Sequence, residues 1–193
     1  MRTPLRAVVL GATIVTGLGV VYSLVGAISG WEPAAGPLLQ ALLHLAAGAL
    51  VVTAAAQGSG GRGWAARLGF GAGALGLALL VVAELTYPAA PAVADGLFGI
   101  ASPLAGLGLV VAGVAVLRRR RWRGGWRAVP LVSGLWVFLV TTPALVVTGG
   151  PPAPAALLAI AGWELCWTLL GLAVLREAAT PGIRADPRTR VVA

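Results

Sequence analysis

Leu117-Arg118-Arg119-Arg120-Arg121-Trp122-Arg123-Gly124-Gly125-Trp126-Arg127 is the stretch whose reading decides the fold. It holds six of the fourteen basic residues of the 193-residue chain, and all fourteen are arginines. On both sides of it the charges vanish: residues 96–117 and 128–163 contain no Asp, Glu, Lys or Arg. Residues 7–28 and 33–61 are equally free of charge. About 20 apolar residues at about 1.5 Å each cross the hydrocarbon core of a bilayer, so runs of this length read as membrane-spanning helices. The expected spans are 7–28, 37–57, 66–87, 96–117, 128–148 and 154–175. The breaks between them carry Gly and Pro, which end helices: Gly30 and Pro33, Gly58 to Gly61, Pro88 and Pro91, and Gly149 to Pro152. The fold expected is an all-α six-helix membrane bundle with short loops. It forms one domain over 1–176, followed by a short, loose polar tail over 177–193.

The arginines also set the orientation. Arg2 and Arg6 precede the first span, and Arg62 and Arg67 flank the second connection. The six of the quoted stretch fill the fourth connection, and Arg176, Arg184, Arg188 and Arg190 follow the last span. With six spans all fourteen fall on one side, and the other connections carry only Glu32 and Asp95. Arginine-rich short loops stay in the cytoplasm, so both termini are expected there, in a multi-pass protein of the cell membrane. Trp64, Trp122 and Trp126 are then expected at the cytoplasmic interface and Trp31 and Tyr87 at the outer one. Trp136, Trp163 and Trp167 are expected to pack inside.

Composition excludes several functions. The chain is 59% hydrophobic and 10% charged, with mean hydropathy +0.93, whereas a soluble domain carries about 25% charged residues. The net charge of +8 sits in short loops and tails, which argues for topology and against nucleic acid as a partner. The absence of lysine rules out Schiff-base chemistry. One cysteine, Cys166, allows no disulfide within the chain, and one histidine, His44, allows no bis-histidine haem. No phosphate-binding loop, zinc-protease or nucleophile-elbow motif occurs, so no enzyme activity, cofactor or metal is expected. The Ala-, Gly- and Arg-rich composition fits a GC-rich bacterial genome.

Ionisable groups inside spans are costly, about 2.5–3.5 kcal/mol for a charge at mid-helix, and mark candidate sites. Three occur: Glu164, His44 and Glu84, with Gln40 and Thr168 as polar neighbours. Ala161, Glu164, Thr168 and Gly171 share one helix face, expected to look into the bundle. No arginine lies within a span, so Glu164 is expected either as the neutral acid or paired with His44 at similar depth. Glu84, one turn from a helix end, is expected to reach the outer interface. The cluster reads as a polar site in the outer half of the bundle for a proton, a cation or a small polar solute, or as interhelical hydrogen bonds that fix the packing. Arg118, Arg119, Arg120, Arg121, Arg123 and Arg127 are topology determinants able to attract anionic lipid. Gly69 with Gly73, Gly26 with Gly30, Ala72 with Gly76, Ser102 with Gly106, and Gly108 with Ala112 are small-residue pairs that let helices approach. Pro103 and Pro143, inside spans, are expected to kink them.

The reading that follows is a small polytopic bacterial inner-membrane protein of structural or regulatory type. The alternatives are a transport or solute-binding component and an intramembrane enzyme. In length and span count the chain resembles the substrate-binding subunits of energy-coupling-factor vitamin transporters. That likeness implies a six-helix membrane fold able to hold a small solute.

Overall fold

A computed structural model describes residues 3–31 and 33–179. Arg2, Glu32, Arg184, Arg188, Arg190 and the tail from residue 180 onward lie outside the described residues. Among those described, every regular element is helical: α1 (Thr3–Ser29), α2 (Gly36–Ala56), α3 (Trp64–Thr86), α4 (Pro91–Arg119), α5 (Val129–Trp136), α6 (Thr142–Thr148) and α7 (Pro154–Ala179). A 3-10 turn over Gly124–Ala128 leads into α5, and a π turn over Val137–Thr141 joins α5 to α6. Together these pieces make one rod, Gly124–Thr148, and six helices in all are long and apolar enough to cross a membrane.

Local chemistry explains the ends. Pro91 and Pro154 open α4 and α7, where a missing N–H costs nothing because the first turn has no intrahelical acceptor for it. For α4 this places the start five residues before the sequence-based boundary of 96. Apolar spans mark where hydrophobicity ends, while hydrogen bonding carries the helix on to its next stop. α7 likewise runs past Arg176 to Ala179, into the segment expected as tail. Gly30, Gly58, Gly61 and Gly149 turn the chain at positive φ, a region that costs a side chain-bearing residue energy. Before Pro143 the helix widens into the π turn Val137–Thr141. A proline ring collides with the carbonyl four residues back, and an extra residue in the turn relieves that collision. Pro103, by contrast, sits within an α4 that is helical throughout.

The helices form a ring in chain order. α1 packs on α2, α2 on α3, α3 on α4, α4 on α5, and α5 on α7, which closes the ring against α1 and also touches α2. Large apolar side chains face outward as well as inward, and many of the buried positions are alanine. Ala47, Ala54, Ala83, Ala101, Ala105 and Ala112 are buried, while Ile14, Leu18, Leu45, Leu68, Leu75, Ile100 and Leu139 face outward. The α3–α4 seam shows why. A Cβ placed on Gly76 would fall on the backbone of Ala105, one on Gly69 on that of Ala112, and one on Gly108 on that of Gly73. On this seam Gly69, Gly76 and Gly108 therefore bring two backbones into contact within one chain, whereas Gly106 meets the side chains of Phe138 and Val137.

Candidate functional site

The antiparallel seam between α1 and α7 has a constant register and a polar lining. Gly171 faces the Thr13 side chain, Gly17 faces Thr168, Gly19 faces Glu164, and Gly26 faces Leu157. Thr13 donates to the Val9 carbonyl at 2.7 Å and Thr16 to the Thr13 carbonyl at 3.1 Å. Thr168 donates to the Glu164 carbonyl at 3.0 Å and lies 3.2 Å from the Thr16 hydroxyl. Back-bonding of this kind lets hydroxyls sit inside an apolar bundle without stranding a donor. The expected inward stripe on α7 is present, since Ala161, Glu164 and Gly171 are buried and Thr168 is half-buried.

Glu164 occupies the centre of this seam at 0% exposure. Its carboxyl lies in the notch left by Gly19, where a Cβ would come 3.1 Å from Oε2 and 2.7 Å from the Leu43 side chain of α2. Three helices, α1, α2 and α7, thus meet at one carboxyl. Neither carboxyl oxygen has a hydrogen-bond partner among the described residues. The same holds for Ser23 Oγ, His44 Nδ1, Trp163 Nε1 and Trp167 Nε1, which are buried as well.

His44 takes a different acid from the one expected. Its Nε2 lies 3.6 Å from Glu84 Oε1 across the α2–α3 seam, with the two side chains 8% and 15% exposed. That distance is ion-pair range and too long for a direct hydrogen bond. Glu84 accordingly turns inward toward His44 and does not simply reach the helix end. On α7 the neighbour of His44 is Trp163, at 6.0 Å between ring centroids, and Trp163 in turn leans on Trp167 at 5.4 Å. The geometry of a helix explains the exchange. Successive residues point about 100° apart, so when Trp163 faces α2, Glu164 faces α1. Gln40, one turn before His44, is half-buried. Cys166 is buried against Ser133 of α5.

The indoles expected to pack inside do so. Trp163 and Trp167 are buried, and Trp136 donates to the Ala159 carbonyl at 2.9 Å while its ring covers Gly162. Of the indoles expected at the arginine-rich end, Trp122 is 2% exposed, packed within the bundle end, whereas Trp64 is 75% exposed. The loop arginines gather around it. Arg121 donates to the Gln57 carbonyl at 2.7 Å and lies 3.6 Å from Glu177, and Arg119 covers Gly61. The second connection, the fourth connection and the end of α7 therefore meet at one end of the bundle. Arg6, Arg62 and Arg67 lie at the same end by the alternation of helices.

Sequence reasoning missed the α1 half of the seam. Its signal was available: Thr13, Thr16, Gly19, Ser23 and Gly26 recur at helical spacing on one face, small or hydroxylated, amid Val, Leu and Ile. Among the clefts of the structure, one of about 90 Å³ is lined by Trp122, Arg123, Trp126, Ala173, Arg176 and Glu177, and a much smaller one lies beside Tyr22 and Trp31. Glu164 and His44 line neither. No three His, Cys, Asp or Glu side chains are grouped to hold a metal among the described residues. No protein-family model, curated protein or solved structure matches the chain.

Proposed function

We propose that the chain is a multi-pass protein of a bacterial cell membrane, with both termini cytoplasmic, whose bundle has a structural or regulatory role and no catalytic one. Support for the membrane comes from the six long apolar helices and from the many Leu, Ile and Val side chains that face outward along them. That arrangement is stable in lipid, where close backbone approach drives packing, and it would expose an extended apolar surface in water. Support for the orientation comes from the gathering of the described arginines at one end. The observation that carries the structural reading is the seating of Glu164. Its carboxyl is enclosed against Gly19 and Leu43, and the residue is 0% exposed. A reporter fused after Ala193 tests the orientation: activity of a cytoplasmic reporter is expected, and activity of a periplasmic one sinks it.

A second reading, a proton- or small-solute-binding component of a transport system, is favoured by the unpartnered buried atoms of Glu164, His44, Ser23, Trp163 and Trp167. Buried polar atoms without partners invite water, a proton or a ligand. Purified protein in liposomes with an internal pH dye separates the two readings. The structural reading expects equal proton leak for the parent and Glu164→Gln. Flux in the parent that Glu164→Gln abolishes would establish the second.

A further inference from the structure

We propose that Glu164 exchanges a proton with the end of the bundle away from the arginines, by way of His44 and Glu84, and has no such route to the arginine-rich end. Contacts between sequence neighbours put the three residues in one belt across the bundle. Gly19 of α1 meets both the Glu164 carboxyl of α7 and the Leu43 side chain of α2. His44, next to Leu43, meets Trp163, next to Glu164, at 6.0 Å between ring centroids. His44 also presents Nε2 to Glu84 Oε1 at 3.6 Å, a gap that a small side-chain motion closes to hydrogen-bond length. Glu84 lies in the last turn of α3, which ends at Thr86, and its side chain is 15% exposed. It is the member of the belt that water reaches. The other ring nitrogen of His44, Nδ1, is buried without a partner among the described residues, as are the Trp163 indole N–H and both Glu164 oxygens. Buried groups of this kind recruit water, which joins Nδ1 to the carboxyl.

The two halves of the bundle differ in what can carry a proton. Residues 7–28, 45–61, 68–83, 96–117, 128–163 and 165–175 contain no Asp, Glu, His, Lys or Arg. Toward the arginine end the buried hydroxyls are committed to carbonyls of their own helices, Thr13 to Val9, Thr16 to Thr13 and Thr53 to Ala49. Gly171 packs on Thr13, and Leu50, Val51, Leu77, Leu109 and Leu170 are fully buried. Around Glu164, α1 brings glycine and hydroxyls, its Tyr22 turning to Trp31. Cys166 of α7 turns to Ser133 of α5. His44 is thus the titratable neighbour of the carboxyl, with Glu84 behind it. The transfer balances. The Glu84 acid gives its proton to Nε2, the imidazolium releases the Nδ1 proton to the bridging water, and the Glu164 carboxylate takes one from that water. Each step reverses, so hydrogen exchanges for deuterium at Glu164 without a proton crossing the bundle. A well open at one end conducts no current. Of the second reading above, only proton binding at Glu164 is needed here, and transport is not.

The test is infrared spectroscopy of the purified full-length protein in detergent, mixed from water into heavy water at mildly acid pH. The Glu164 carboxyl band is the one missing from Glu164→Gln, and its deuterium shift gives the exchange rate. His44→Phe is expected to slow exchange roughly 100-fold, as loss of a positioned proton carrier does. Glu84→Gln is expected to slow it several-fold, since water takes over at the outermost position. Thr13→Val with Thr53→Val should exchange at the parent rate. A His44 that only supports packing would do the opposite, because its loss would loosen the bundle and speed exchange through local opening. Parent or faster rates in His44→Phe or Glu84→Gln, slowing in the threonine pair, or a parent without an exchanging Glu164 carboxyl band overturns the proposal. Should His44→Phe fail to fold, His44→Gln keeps a polar side chain that carries no proton. The same slowing is then expected, and the parent rate refutes the relay. Proton flux in liposomes is a separate readout, so failure of the transport reading leaves these rates unchanged.

Discussion

Two seams of the same bundle use glycine for opposite purposes. Between α3 and α4, glycine removes the side chain so that backbones touch, as Gly76 does on Ala105 and Gly108 on Gly73. Between α1 and α7, glycine makes room for a neighbour's side chain. Gly171 accommodates Thr13, Gly17 faces Thr168, and Gly19 holds the Glu164 carboxyl. The first seam is apolar and closed by van der Waals contact alone, which is what remains to drive association when the surroundings are as apolar as the helices. The second tolerates hydroxyls and a carboxyl because its glycines leave cavities of side-chain size. A glycine pair in a sequence therefore says that something comes close, and the partner decides whether that is backbone or a polar group.

The same substitution placed in each seam should expose the difference. Gly76→Ala pushes a methyl into the Ala105 backbone, which cannot move without separating the helices. A loss of about 3 kcal/mol, at the upper range of overpacking, is expected as a lower midpoint when heated protein is followed by size-exclusion chromatography. A midpoint like that of the parent would mean the seam is looser than described. Gly19→Ala meets the ends of Leu43 and Glu164, both of which can rotate. About 1 kcal/mol is expected from the same assay, and a loss equal to that of Gly76→Ala would erase the distinction between the seams. Thr168→Val keeps the shape and removes the hydroxyl near Thr16. Interhelical hydrogen bonds in membranes contribute about 0.6 kcal/mol, so a change of that order is expected in denaturant titration. A loss of several times that size would show the seam to depend on its polar contacts. Gly71→Ala, on α3 but with nothing within 4 Å of the added Cβ, belongs to neither seam. It should be neutral or stabilising by less than about 1 kcal/mol, from helix propensity alone. Marked destabilisation there would reveal a contact to another molecule.

The sequence revealed what depends on single helices and hid what depends on pairs. Six apolar runs, the arginine segregation, the inward stripe through Glu164 and the helix irregularity before Pro143 are all properties of one segment and its periodicity. The pairing of His44 with Glu84 was not legible, because depth along a helix does not say which face meets which neighbour. Glu164 and His44 lie at similar depth, yet Glu164 faces Gly19 while Trp163 faces His44. The burial of Trp122 was not legible for a related reason, since a tryptophan among arginines shows its depth and not what packs over it. The hydroxyls of α1 escaped notice because Thr13 and Thr16 bond their own helix and so look unremarkable in a sequence.

Closure of the ring by α7 against α1, with the polar stripe inside the seam, is the claim on which the site rests. Oxidative cross-linking in membranes tests it most directly, with Cys166 first replaced by alanine. Gly17→Cys with Thr168→Cys should form a disulfide rapidly, since a Cβ at residue 17 lies 3.8 Å from the Thr168 side chain. Leu18→Cys with Leu165→Cys, on outward faces 61% and 48% exposed, should not. Rapid cross-linking of the outward pair with none in the inward pair would place the stripe on the surface and contradict the account.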